Sequence, residues 1–386
     1  MKKMRSAFLV ILILGYSTIL TGCWDYHEIN DLAFVAGVAL DKSSNGKGYL
    51  FTAEIVSSAG KEGKIQSKLI QAEGISIYDA SRNLIRLSGK RISGKQQVIV
   101  IISQDVAREG VLMYIDILQR LYETRLATHI LISKEKTAKE LLSQQSITTE
   151  IRSMEMKAMV NSDKAFLGKS PHVDVRNFIN MLSEEGQAPV LAAVGITASE
   201  GSMTSELSGI AIFKGDKLVG FLDGEDTKFF LFIRNQIKDT TLVLNENTDS
   251  AYKGTTLEIY KSKTRVKPVN LNGKLLINID INVVAGLNEL SVTKNLIDEK
   301  GRIVLKKEAE KTLKLNVENV INKIKEEYGL DIFGFGAAIK RDMPSLWKTA
   351  ASNWDKEFRS LKVNVKTNIE IRESGLSSKP IKVGKQ

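Results

Sequence analysis

One cysteine, Cys23, stands among 386 residues, and it closes an apolar stretch near the N-terminus. No disulfide can form within such a chain, and no cysteine pair can hold a structural zinc. The fold must therefore rest on a hydrophobic core and on hydrogen bonds. The material for one is present, with 43% of residues hydrophobic and 26% charged, the balance of a globular body. At roughly 100–200 residues per domain, the chain has room for two or three domains.

Lys2, Lys3 and Arg5 form a basic start, residues 7–20 are nearly all apolar, and Thr21 and Gly22 are small. That order is the pattern of an export signal. The apolar core is shorter than the roughly 20 residues that a helix needs to span hydrocarbon. Leu20-Thr21-Gly22-Cys23 resembles a lipobox, in which the cysteine sulfur receives diacylglycerol and becomes the mature N-terminus. Cys23 is thus the expected lipidation site. No other cofactor is expected. One acyl chain holds a membrane marginally, at about 0.8 kcal/mol per buried methylene, and two anchor stably. Trp24, Asp25 and Glu28 follow at once and are candidates for contact with headgroups or a partner. So close to an anchor, Asp25 and Glu28 suit that role better than acid–base catalysis.

The formal charge is +10, and three of the basic residues lie in the signal segment. The others are interleaved with acids, so a solvated surface is expected, with attraction to anionic lipid within a Debye length as the functional reading. No basic stripe with interleaved aromatics appears, which argues against nucleic acid.

Residues 33–40 (AFVAGVAL) read as a buried strand, and 49–56 as its hairpin partner across Asn45-Gly46. Residues 60–68 read as a loop. Ser76 and Asp79 have capping-box spacing before a helix. Residues 98–102 read as a central strand, 106–122 as one long helix, 127–132 as a strand and 137–142 as a short helix. The small polar run 195–206 (GITASEGSMTSE) suggests a domain boundary. Beyond it, 209–213 and 218–222 flank a tight turn. Ile277, Ile279, Ile281 and Val283 alternate on one strand face. Leu313, Val317, Val320, Ile321, Ile324 and Tyr328 make a helical stripe closed by Gly329. A second helix from Pro344 carries Trp347, Ala350, Ala351, Trp354 and Phe358 on one face. Val363, Val365, Ile369 and Ile371 end the pattern as a strand. The expected fold class is α+β, with several domains of mixed and antiparallel sheets and packed helices. The expected divisions are a signal peptide (1–22), an N-terminal α+β region of two subdomains (23–200), a C-terminal α+β domain (201–373) and a loose basic tail (374–386).

These blocks carry a resemblance. GCWDYHEINDLAFVAGVALD is similar to the N-terminal signature of the Ger(x)C family, the C subunits of nutrient germinant receptors in endospore-forming bacteria. EGISIYDASRNL, the helix end with Asp116, Arg120, Glu123 and Arg125, SGIAIFKGDKLVGFLDGED, and GLDIFGFGAAI with its following tryptophans resemble the later blocks, in the same order. One departure is the stretch before the central strand, SGKQQ, where the family often has an aromatic-Ser-His run. The resemblance implies an α+β fold and a lipoprotein on the outer face of the spore inner membrane. It implies work with two integral-membrane subunits, A and B, in sensing nutrients, with the bilayer reached through the N-terminal anchor.

Other motifs are weaker. GKRISGKQ (89–96) nearly matches a phosphate loop, but Gln96 stands where Ser or Thr should reach magnesium, and the segment precedes a strand instead of following one. Gly334-Phe335-Gly336 begins a GxGxxG that Ile339 breaks; glycines beside a strand or sheet crossing explain it better. His27, His129 and His172 have no metal-site spacing. No GxSxG elbow occurs. The expected function is a non-catalytic receptor subunit. The alternative is a stand-alone solute-binding lipoprotein, which would show two similar lobes.

Overall fold

In the computed structural model, the described residues are 3–8, 31–59, 64–121, 124–199, 201–244, 254–290 and 299–373. A nine-stranded mixed sheet occupies the N-terminal side. Its strands are β1 (Leu32–Lys42), β2 (Tyr49–Ala59), β3 (Lys64–Gly74), β4 (Arg91–Ser93), β5 (Ile99–Ile102), β6 (His129–Ser133), β7 (Val190–Ser199), β8 (Ser202–Lys214) and β9 (Lys217–Leu222). The order is β3-β2-β1-β5-β6-β7-β8-β9, with β4 beside β1. Pairs β1–β5, β5–β6 and β6–β7 are parallel, and both flanks are antiparallel.

The run Ile99–Ile102 sits at the centre and is buried on both faces, as a parallel strand covered by helices must be. Val100 and Ile102 pack with helices Ile77–Asn83, Gln104–Glu109, Leu112–Arg120 and Val175–Ser183. Ile99 and Ile101 pack on the other side with Ala138–Leu142 and Arg152–Phe166.

A second, four-stranded sheet has the order β10 (Thr240–Val243), β11 (Thr256–Leu271), β12 (Lys274–Glu289), β13 (Lys362–Glu373). The alternating Ile277, Ile279, Ile281 and Val283 of β12 are buried under the helix Glu299–Glu327, which presents Leu313, Val317, Val320, Ile321 and Ile324. Gly329 follows at φ 64°, the left-handed position where glycine costs least. Between the two sheets lies helix Gly224–Ile233, buried from Thr227 to Ile233. Its second half, from Phe229 on, is apolar all round and belongs in an interior, and Phe229, Phe230 and Phe232 join strands of both sheets into one core.

Several expectations change. Residues 64–68 belong to strand β3 and not to a loop. The helix expected over 106–122 is two, because Gly110 at φ 135° turns the chain between them. The C-terminal tryptophan helix is also divided, into Pro344–Ala350, a 3-10 turn Ala351–Asn353, and Trp354–Ser360. That shift of phase leaves Ala351 exposed while Trp347, Ala350, Trp354 and Phe358 are buried. The hairpin β7–β8 crosses residue 200, so the larger sheet draws strands from both sides of the division expected there. Residues 374–386 lie outside the described residues.

Candidate functional site

A buried polar construction lies where the two halves of the chain meet. Asp331, 2% exposed, follows the long helix. Its carboxylate accepts the N–H of Gly334 at 2.9 Å, the N–H of Gly336 at 2.7 Å and the indole Nε1–H of Trp354 at 3.2 Å. Its carbonyl accepts the N–H of Ala188 at 2.7 Å, from the N-terminal half. Burial pushes the Asp331 carboxyl up to about 6, against the pull of these donors.

Glycines make the approach close enough. Gly334 (φ 79°) caps helix Phe335–Asp342. A Cβ on Gly336 would stand 2.7 Å from the Cα of Gly186 and 2.8 Å from the Trp354 ring. The carbonyl of Gly186 accepts the N–H of Ala337 at 3.1 Å. Arg234 extends the clasp, donating to Phe333 O at 2.9 Å and to Gln187 Oε1 at 3.1 Å. Trp347 donates to Glu185 at 3.3 Å, and Lys340 pairs with Glu184 and Glu185. The outer wall of this clasp is a cleft of about 590 Å³ that includes Glu185, Lys214, Trp347 and Asp355. The chemistry is that of a fastening: charges and donors are matched to one another across the junction.

His129 and His172, far apart in sequence, meet edge to face at 4.5 Å between ring centroids. Lys164 Nζ lies 3.4 Å from His172 Nδ1. Burial first, then the charges of His129 and Lys164, lower the His172 pKa to about 4. The Lys164 ammonium beside the rings disfavours a divalent metal, and among the described residues no group of three or more His, Cys, Asp or Glu could hold one. Because the folded-state pKa lies below the ordinary 6.5, His172 lends stability above pH 6.5 that is lost as pH falls through about 4. The His172→Gln variant should therefore show a flatter dependence of Tm on pH between 6.5 and 4 than the parent. Melting curves across that window check it, and parallel slopes would contradict it.

The sequence-predicted residues fare unequally. Cys23, Trp24, Asp25 and Glu28, with His27, lie outside the described residues. In the near phosphate loop, Gly89 ends a helix in the left-handed conformation and β4 follows, the reverse of strand, loop and helix. The partial GxG starts a helix, correcting the expectation of glycines beside a strand. The tryptophan stripe is core, except at Ala351. Arg234, Gln187 and Asp331 had no signal of their own; Asp331 was visible only inside GLDIFGFGAAI.

Comparisons with known proteins agree on one family. Residues 25–196 match the family described as spore germination protein N-terminal domain, and 208–375 match the one described as spore germination B3/GerAC like, C-terminal. The break between the two matches falls within the β7–β8 hairpin. Spore germination protein KC of Bacillus subtilis is similar, 23% identical over 403 residues and 98% of each chain. GerQC of Bacillus cereus is 23% identical over 376 residues, 95% of this chain and 99% of that one. The crystal structure of the GerBC protein shares the fold, with a TM-score of 0.52, 20% identity and coverage of 90% of this chain and 99% of that chain. With both halves matched in order along nearly the whole chain, this protein belongs to the GerAC-like family of spore germination proteins.

Proposed function

We propose that the protein is the non-catalytic C subunit of a spore nutrient germinant receptor, anchored through a diacylated Cys23 on the outer face of the spore inner membrane. The observation that carries this reading is the pairing of family membership over both halves with the Leu20–Cys23 junction at the end of a short apolar segment. Among the described residues no helix is long and apolar enough to cross a membrane. Anchorage would then rest on the N-terminal segment. The buried tryptophan stripe agrees, since Trp347 and Trp354 are committed to the core and not to lipid. Integral-membrane A and B subunits are the proposed partners, and Trp24, Asp25 and Glu28 stand nearest the anchor to meet them. A solute-binding lipoprotein of two similar lobes is a poorer match to sheets of nine and four strands.

Tethering supports a scaffolding role in physical terms. Confinement near a surface raises the effective concentration for membrane partners without any new contact. Crosslinking in intact spores tests the reading: adducts with both membrane subunits are expected, and their absence would contradict it. Mass spectrometry of the extracted protein should find an N-terminal, diacylated Cys23, and the Cys23→Ala variant should remain as unprocessed precursor. A normal lipidated N-terminus in that variant would exclude Cys23 as the anchor.

A further inference from the structure

Under helix Ile77–Asn83, the larger sheet leaves a cavity of about 150 Å³. Its wall is mostly apolar, with Val38 and Phe51 from β1 and β2, Ile77 above and Leu118 from the neighbouring helix. An apolar cavity of about that volume holds one benzene-sized molecule.

Gln97 lines this cavity and is 7% exposed. Its backbone is fixed, with its N–H given to Gly94 O at 3.0 Å and its carbonyl accepting Thr128 Oγ1–H at 3.0 Å. Its side-chain Nε2 is buried without a well-formed hydrogen bond to the protein; the group its amide approaches is the hydroxyl of Tyr114, on the same wall. A buried amide donor left unmatched is costly, and native folds rarely keep one without a use. An acceptor on a bound molecule would satisfy it. The charged side chains on the described wall are arginines, Arg82 and Arg91, and no acid is among them. That balance favours a neutral or anionic acceptor and disfavours an amine.

We propose that this cavity is a binding site for a small apolar molecule, about the size of a benzene ring, that carries one carbonyl or carboxylate acceptor for Gln97. The inference goes beyond the receptor-subunit reading and does not depend on it, since it rests on the cavity alone.

Fluorine NMR of the full-length protein in phosphatidylcholine nanodiscs tests it, with 4-fluorobenzoate and 4-fluorobenzylamine as probes of like size and opposite charge. The benzoate should show saturable binding, with the amine about tenfold weaker or more. The Gln97→Leu variant, which keeps volume and removes the donor, should weaken benzoate by about tenfold. Ile85→Trp, at a half-buried lining position, should fill the space and abolish binding while the protein still melts cooperatively. Three results would overturn the proposal: no saturable benzoate binding, equal binding of the two probes, or benzoate affinity unchanged in folded Gln97→Leu and Ile85→Trp proteins.

Discussion

Replacing Asp331 by alanine is expected to destabilise the protein by about 3–5 kcal/mol, because each buried donor left unmatched costs about 1–3 kcal/mol and partial relaxation recovers some of the sum. The donors are the N–H groups of Gly334 and Gly336 and the indole of Trp354. The two N–H groups open helix Phe335–Asp342, so its first turn would lose its anchor. The indole belongs to the aromatic stack that includes Trp347, Phe358 and Phe335. Denaturant unfolding at neutral pH is the check. A second signature follows from protonation. With the carboxyl raised from 3.8 to about 6, the folded state binds a proton more tightly than the unfolded chain. The stability from that proton is complete below pH 3.8 and lost as pH rises through about 6. The alanine variant should lack this component. Unchanged unfolding curves would show that the clasp does not fasten the junction.

Glu54→Ala is expected to cost a similar amount, about 3–5 kcal/mol, as for breaking one side of a buried charged network. Helix Arg152–Phe166 has no side-chain cap of its own at Ile151. Its first N–H groups are taken by Glu54 of β2, from Arg152 at 2.7 Å and Ser153 at 2.8 Å, while Ser67 Oγ–H adds a third bond at 2.7 Å. Negative charge belongs at a helix N-terminus. The helix presses so closely that a Cβ on Gly37 would stand 1.8 Å from Ser153 Oγ. Arg152, 3% exposed, pairs in turn with Glu155, which also accepts the N–H groups of Ile147 at 2.7 Å and Thr148 at 2.8 Å. Hydrogen exchange should show early loss of protection at 152–155, together with a lower Tm. Retained protection there would mean that water or another group takes over the cap.

What the sequence disclosed follows from which forces act locally. The run at 98–102, the alternation along β12 and the stripe of the long helix were legible because burial imposes the element's own period on apolar residues. Ser76 was legible because its bond to the Asp79 N–H, 3.2 Å, lies within one turn. Helix Arg152–Phe166 was not, since its buried face holds Arg152, Ser153, Glu155 and Asp163, which give no apolar rhythm. Their partners lie on β2 and in the loops that flank the helix, outside its own turns. Gly110 misled because apolar residues continue on both sides of it, while its positive φ ends one helix before the next begins. Of the candidate site, the Asp331 clasp was half visible: GLDIFGFGAAI and Trp354 stood out, and Gly186, Gln187 and Arg234 did not, since the contact is made only by folding.

The most direct measurement is nutrient-triggered germination of spores that lack this gene and carry either the wild-type copy or an exported Cys23→Ala copy at matched protein levels. A tethered receptor subunit predicts that the wild-type copy restores the response to the receptor's own nutrients, while the unlipidated copy restores it only weakly and other receptors' nutrients work throughout. Full germination with the unlipidated copy at every nutrient concentration would contradict the account.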